Sequence, residues 1–312
     1  MLKKTDKILI AGQEGLVGSA IYRILKKNNY KIIECRRKDL DFTNYKKVFS
    51  FFKKKKPKIV INAAGKVGGI LDNSKYPIEY LNTNIMIGLN LINISYKLNI
   101  KKLINFGSAC IYPKKTKLPI KEDYLLAGYL EKTNEAYAIA KIVSLKLCEY
   151  YNKIKKKDFI SVQPANLYGL EDNYNLSSSH VIPALIRKFF EGKINKKKYV
   201  KIWGDGKNTR EFLHVDDLAK AILFLLKNKR IKNTFVNIGS GEEISIIKLA
   251  RLIKKVSKFN GKIVFEKNKP SGQKRRVLDS SIINNLGWRK KIKLENGIAK
   301  LYHDYVKINS QE

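Results

Sequence analysis

The sequence predicts an α/β fold, a doubly wound parallel sheet followed by a smaller C-terminal α/β part. Three observations carry that prediction: short β-branched apolar runs alternate with longer helical patterns, those runs are apolar at consecutive rather than alternate positions, and the alternation breaks after about Asp172. A strand that is apolar on both faces must be covered on both faces, as the crossover helices of a parallel sheet do. The 312 residues, 44% of them hydrophobic, suffice for one large or two medium domains with a real core.

In order, "KILIAG" is the first strand and a glycine-rich loop leads into a helix around Ser19 to Lys27. "YKIIEC" is the second strand, a helix follows near Asn44 to Phe52, and "KIVINAAG" is the third. A long helix from about Pro77 to Leu98 leads to "KKLINFGS", and a second from Glu135 to Tyr151 leads to "FISVQPANLYG". Beyond Asp172, helices start near His180, Asp216 and Ser245, "TFVNIG" and "KIVFE" are strands, and two helical segments close the chain. No repeat or low-complexity linker separates the two parts, so they are expected to pack directly.

The formal charge of +37 would attract any polyanion. The lysines, however, are spread along the chain (Lys53 to Lys56, Lys155 to Lys157, Lys196 to Lys198, Lys290, Lys291), with neither a basic tail nor a nucleic-acid module. No specific nucleic-acid partner is expected, and the abundance of Lys, Ile and Asn suits an AT-rich genome. No stretch approaches the roughly 18 consecutive apolar residues of a membrane span, and the N-terminus runs straight into a strand, so a soluble protein without a targeting signal is expected. Cys35, Cys110 and Cys148 are odd in number and widely spaced. They suggest neither disulfides nor a metal site, and they suit a reducing cytoplasm.

The loop "AGQEGLVG" places Gly12, Gly15 and Gly18 between the first strand and the first helix. With Gln13, Glu14, Leu16 and Val17 it forms the turn on which a dinucleotide's pyrophosphate rests against a helix N-terminus, so the parallel sheet is read as Rossmann-type. After the second strand, where NAD enzymes usually carry a carboxylate, the chain has "CRRK". Arg36 and Arg37 there favour the 2′-phosphate of NADP(H), although Glu14 adds an acid nearby. Residues 1–172, joined by 210–240, are therefore expected to form the NADP-binding domain, and 173–209 with 241–312 the substrate-binding domain. In "EAYAIAK", Tyr137 and Lys141 lie one helical turn apart and share a face.

Ser108, Tyr137 and Lys141, in this order after a glycine-rich loop, resemble the extended branch of the short-chain dehydrogenase/reductase superfamily. The resemblance implies that Lys141 lowers the Tyr137 pKa and binds the nicotinamide ribose. Tyr137 then exchanges a proton with a substrate oxygen that Ser108 also holds. Phe106, Gly107, Pro164, Ala165, Asn166, Leu167 and His180 are expected to complete the cofactor site. Related dehydratases carry an acidic pair after the serine; here Ala109 and Cys110 follow it, which disfavours dehydration.

Four further stretches, "GKVGGILDN", "SACIYP", "TNEAYAIAK" and "SSSHVIPALIRKF", are similar to the GDP-L-fucose synthase family, and the likeness continues through "WGDGKNTREFLHVDDLAKA" to "LGW". That family epimerises GDP-4-keto-6-deoxy-D-mannose at carbons 3 and 5 and reduces it at carbon 4. The resemblance implies Cys110 as base and His180 as acid. It implies Lys188 (where arginine is usual), Trp203, Arg210 and Asp279 as GDP-sugar contacts, with Arg187 able to replace the missing arginine. It further implies a homodimer formed through the two long helices. Without the resemblance, Cys110 reads as a buried small hydrophobe and His180 as a helix cap. His214, His303 and Cys148 are expected to be structural, and no metal is expected.

Overall fold

The computed structural model describes residues 2–228, 234–268 and 273–309. The chain begins with β1 (Ile8–Ala11), α1 (Leu16–Lys27), β2 (Ile32–Ile33), α2 (Tyr45–Lys55) and β3 (Ile59–Asn62). Asn44 caps α2 by accepting from the Lys47 N–H, and Lys53 to Lys55 lie at the helix's electronegative end. Next come α3 (Ile70–Lys75), α4 (Pro77–Lys97), β4 (Lys102–Phe106), α5 (Glu135–Lys155) and β5 (Phe159–Pro164). Pro77 opens α4, a position where no helical N–H bond is lost. The remainder comprises β6 (Asn166–Tyr168), α6 (Val181–Ile194), β7 (Tyr199–Trp203), β8 (Thr209–His214), α7 (Val215–Lys227) and β9 (Phe235–Ile238). It ends with β10 (Glu243–Ser245), α8 (Ile246–Ser257), β11 (Lys262–Glu266), α9 (Ser281–Asn285) and α10 (Leu294–Asn309).

Six strands form one parallel sheet in the order β2-β1-β3-β4-β5-β9. Successive side chains of β1 enter different cores, which is how a strand reads when both faces are covered. Ile8 and Ile10 pack with α1 and α7, whereas Leu9 and Ala11 pack with residues of α2 and α4. Burial of each of these isoleucines and of Leu9 contributes on the order of 1.5–3 kcal/mol. A third core unites α6, α8 and α10 with β7 and β8 around Phe189, Phe212 and Phe259. Among the described residues no helix is long and apolar enough to cross a membrane.

The structure departs from the expected elements in three places. Only Ile32 and Ile33 of "YKIIEC" form strand. The run "FISVQPANLYG" divides: β5 stays in the main sheet, and β6 joins a separate sheet of order β10-β8-β6. Pro164, which has no N–H to donate, marks the division. The short strands β7, β8 and β10 and the helix α3 were not anticipated. β7 alternates exposed and buried residues and pairs with β11; in so lysine-rich a chain that alternation resembles ordinary polar surface.

Candidate active site

The loops at the carboxyl ends of β1, β4 and β5 converge, as expected at the ligand-binding edge of an open parallel sheet. Gly12 has φ +83°, and a Cβ on Gly18 would fall 2.0 Å from the Gly12 carbonyl oxygen, so loop and helix can meet this closely only without side chains. Gly15 stands at the N-cap of α1 with no side-chain cap, leaving first-turn N–H groups for a phosphate. These residues fit a pyrophosphate. Leu16 and Val17 pack into the core beneath.

At the 2′-phosphate position the strand ends earlier than expected, so Glu34, not the arginine pair, directly follows β2. This corrects the expectation that no carboxylate stands there. Its two oxygens accept from Gln13 Nε2 and the Tyr22 hydroxyl, each at 2.8 Å. Glu14 is likewise engaged, by the Arg37 backbone N–H at 2.8 Å. Arg36 pairs with Asp39 at 3.8 Å, whereas the exposed Arg37 guanidinium has no partner among the described residues.

Ser108 opens a 3₁₀ turn, Ala109–Ile111, at the end of β4. Its Oγ accepts from the Cys110 N–H at 3.2 Å, and its own N–H donates to Gln163 Oε1 at 2.8 Å. Tyr137, on the first turn of α5, has its hydroxyl near that of Ser108 and lies edge-on to Tyr80, with ring centroids 6.2 Å apart. Lys141 donates to the Phe106 carbonyl at 3.0 Å and lies 5.6 Å from the centre of the Tyr137 ring.

The direction of the tyrosine shift differs from that implied by the resemblance. Burial, the neighbouring Cys110 and Tyr80 raise the Tyr137 pKa, and only the nearby Ser108 hydroxyl lowers it. Lys141 faces the Phe106 carbonyl and the ring rather than the hydroxyl, and burial lowers it to about 8. A phenol that keeps its proton at neutral pH is suited to donate it.

Cys110 is half-buried, and its sulfur accepts from Asn134 Nδ2 at 3.1 Å. His180 stands at the N-cap of α6 without making a side-chain cap. The residue is exposed, and desolvation by nearby protein lowers its pKa below the ordinary imidazole value, making its protonated form the stronger acid. The "KVGGI" loop links the two regions. Gly69 N–H donates to the Ser178 carbonyl at 2.9 Å, two residues before His180. Asn73 and Asn84 donate to the loop's carbonyls at 2.8–3.0 Å, and Tyr80 donates to Asp72 at 2.5 Å.

The proposed substrate contacts do not all gather. Lys188 Nζ lies 5.7 Å from the Trp203 ring, whereas Arg187 is turned away and engaged by Glu191 at 2.6 Å and the Tyr174 carbonyl at 3.2 Å. Adjacent helix residues point about 100° apart, so one residue cannot simply replace the other. Arg210 donates to the carbonyls of Thr209 and Gln273 and has Cys110 among its ionisable neighbours. Asp279 accepts from the Ser281 N–H at 2.8 Å and lines a pocket with Lys121, Glu122 and Phe235 that none of Ser108, Cys110, Tyr137 or His180 lines. His214 caps α7 by accepting from the Asp216 N–H at 3.1 Å.

Sequence reasoning missed Asn134, Gln163, Glu211 and Arg276. Arg276 donates to the Tyr112 carbonyl at 3.0 Å and to the Ala109 carbonyl, bracketing the turn that carries Cys110. Buried Glu211 accepts from Leu278 N–H at 2.9 Å, fixing the segment beside Arg276. Asn134 Oδ1, Gln163 Nε2 and Arg276 Nε are buried without partners among the described residues. Buried polar atoms are rarely left so, and all three residues touch the Ser108–Cys110 turn, as suits a site that binds a polar ligand.

A dinucleotide cradle facing a neighbouring serine and tyrosine, with a buried lysine beneath them, defines an extended short-chain dehydrogenase/reductase. Residues 8–239 match the family model described as NAD dependent epimerase/dehydratase family. The GDP-L-fucose synthase of Sinorhizobium fredii is 47% identical over 300 residues, 96% of this chain and 95% of the relative. GDP-L-fucose synthase 1 of Arabidopsis thaliana is 46% identical over 98% of this chain and 95% of the relative. Among solved structures, MlghC, a GDP-mannoheptose C4 reductase from Campylobacter jejuni with NADP bound, is 36% identical with a TM-score of 0.90, covering 98% of this chain and 99% of that one. The chain belongs to the NAD dependent epimerase/dehydratase family, within its GDP-L-fucose synthase group.

Proposed function

We propose that this protein converts GDP-4-keto-6-deoxy-D-mannose to GDP-L-fucose, inverting carbons 3 and 5 and then reducing carbon 4 with NADPH. The observation that carries this reading is the placement of the Cys110 sulfur on the same turn as the Ser108 hydroxyl, which stands beside the Tyr137 hydroxyl. One oxyanion site then serves both reactions. The ketone acidifies the neighbouring C–H bonds. Cys110 takes a proton from the ring carbon, the electron pair moves onto the carbonyl oxygen held by Ser108 and Tyr137, and His180 returns a proton to the opposite face. These steps involve no net redox change. When bound, NADPH supplies the hydride for carbon 4. Tyr137 gives its proton to the developing alkoxide, and Lys141 holds positive charge beneath the site. Lys188 and Arg210 are the cations proposed for the diphosphate, with Trp203 as an apolar surface beside them.

In deuterated water with NADPH and GDP-4-keto-6-deoxy-D-mannose, the nicotinamide should be oxidised and the product should be GDP-L-fucose carrying deuterium at carbons 3 and 5. The MlghC likeness favours a second reading, reduction alone, which would give a product without deuterium at either carbon. Unchanged nicotinamide absorbance would refute both.

The cofactor preference is assigned to Arg37. Arg37→Ala should weaken NADPH binding roughly 10- to 100-fold, the loss of a charge-assisted phosphate contact, while hardly changing NADH binding. Equal losses, measured by fluorescence titration, would remove that role.

We also place the protein in the cytoplasm, because all three cysteines are free thiols. We further infer a homodimer through α4 and α5, whose outer faces expose Ile78, Met86, Ile139 and Tyr150. A monomeric mass in solution would refute the dimer.

A further inference from the structure

Asn134 stands immediately before α5, where an asparagine ordinarily caps the helix with its side chain, yet it makes no such bond. Its Nδ2 donates instead to Cys110 Sγ at 3.1 Å, and the sulfur is the side chain's single described partner, since Oδ1 is buried and unpaired. A thiol sulfur is a weak acceptor and a thiolate a much stronger one, so an N–H directed at it favours the ionised form. Beneath the sulfur, Arg276 donates to the carbonyls of Ala109 and Tyr112, one on each side of Cys110. The ionisable groups facing the sulfur are Arg210, Arg276 and the Tyr137 hydroxyl, with Glu131 and Tyr112 facing Arg276 in turn.

We propose that Asn134 is the positioning residue of the Cys110 sulfur, aiming at it an N–H that a thiolate accepts more strongly than a thiol, while Arg276 keeps the turn beneath it in place. The proposal rests on the reading of Cys110 as the epimerisation base. Its test does not require the sugar.

The full-length protein is alkylated with iodoacetamide across the thiol titration range and the modified Cys110 peptide is quantified, with buried Cys35 and Cys148 reporting on the fold. In Asn134→Ala, half-maximal alkylation of Cys110 should move to higher pH by about one unit or more, as for any thiolate losing a direct donor. Asn134→Asp, which replaces the donor with a negative charge, should move it further. Arg276→Met should move it in the same direction, and Arg276→Lys should recover part of the difference. Unchanged midpoints in Asn134→Ala and Asn134→Asp, with Cys35 and Cys148 still protected, would overturn the proposal. If Asn134→Ala leaves those two thiols reactive, Asn134→Asp decides in its place. Shifted midpoints with undiminished deuterium exchange would uphold the positioning role and refute Cys110 as the base.

Discussion

Tyr137→Phe is expected to lower reduction at carbon 4 by a factor of roughly 10²–10⁴, the range for a positioned acid-base group, while leaving the fold intact. The ring stays: it is 9% exposed, packed edge-on to Tyr80 and lying over Lys141, and none of those contacts uses the hydroxyl. Removing the hydroxyl costs the fold little, since what is lost is its proximity to the Ser108 hydroxyl. Chemistry loses more. Burial and the Cys110 neighbour keep the phenol protonated at neutral pH, so it is the group able to donate the final proton. Nicotinamide oxidation and a thermal melt on the same sample separate the two effects, and a wild-type rate would show that another group donates. The lysine gives the pH sign: with its pKa lowered to about 8, Lys141 loses its charge as pH rises through that value, so reduction by the unmodified protein should decline there.

Cys110→Ser separates the half-reactions. A hydroxyl is a far weaker base than a thiolate, so deuterium incorporation at carbons 3 and 5 should slow by roughly 10²–10⁴. The oxyanion site, built from Ser108 and Tyr137, is untouched. Residual turnover should therefore shift to direct reduction of the unepimerised ketone, giving a 6-deoxy sugar that is not fucose. His180→Asn should also impair exchange, because it removes the acid whose protonated form is strengthened by desolvation. If both variants exchange deuterium and make GDP-L-fucose like the unmodified protein, Cys110 and His180 are packing residues and the chain is a simple reductase. The product is read by nuclear magnetic resonance of the sugar protons.

The parts legible from sequence are those set by neighbours along the chain. Consecutive apolar residues in "KILIAG" and "KIVINAAG" require cover on two faces, and β1 accordingly sends Ile8 and Leu9 into different cores. Tyr137 and Lys141 share a helix face because a turn of helix separates them. The glycine loop marks a phosphate site because it lies between a strand and a helix. Cys110 and His180 were reached only through resemblance, since nothing local distinguishes a base from a small buried thiol.

What tertiary structure alone decided depends on distance along the chain and on direction around a helix. The Asn134 bond to Cys110 joins residues 24 apart, and that of Arg276 to Ala109 joins residues 167 apart. No spacing rule reaches so far, and Arg276 is one of 64 lysines and arginines that look alike as text. Arg187 and Lys188 are adjacent letters, yet Glu191 holds one while the other faces Trp203. Glu34 became the residue after β2 only because pairing stops at Ile33, and Gln13 and Tyr22 then occupied its oxygens. Local sequence determined the elements and the periodic faces they present, because backbone geometry repeats over a few residues. The partner each polar group finds was decided by how those elements pack, because a hydrogen bond depends on position to a fraction of an ångström that only the assembled fold supplies.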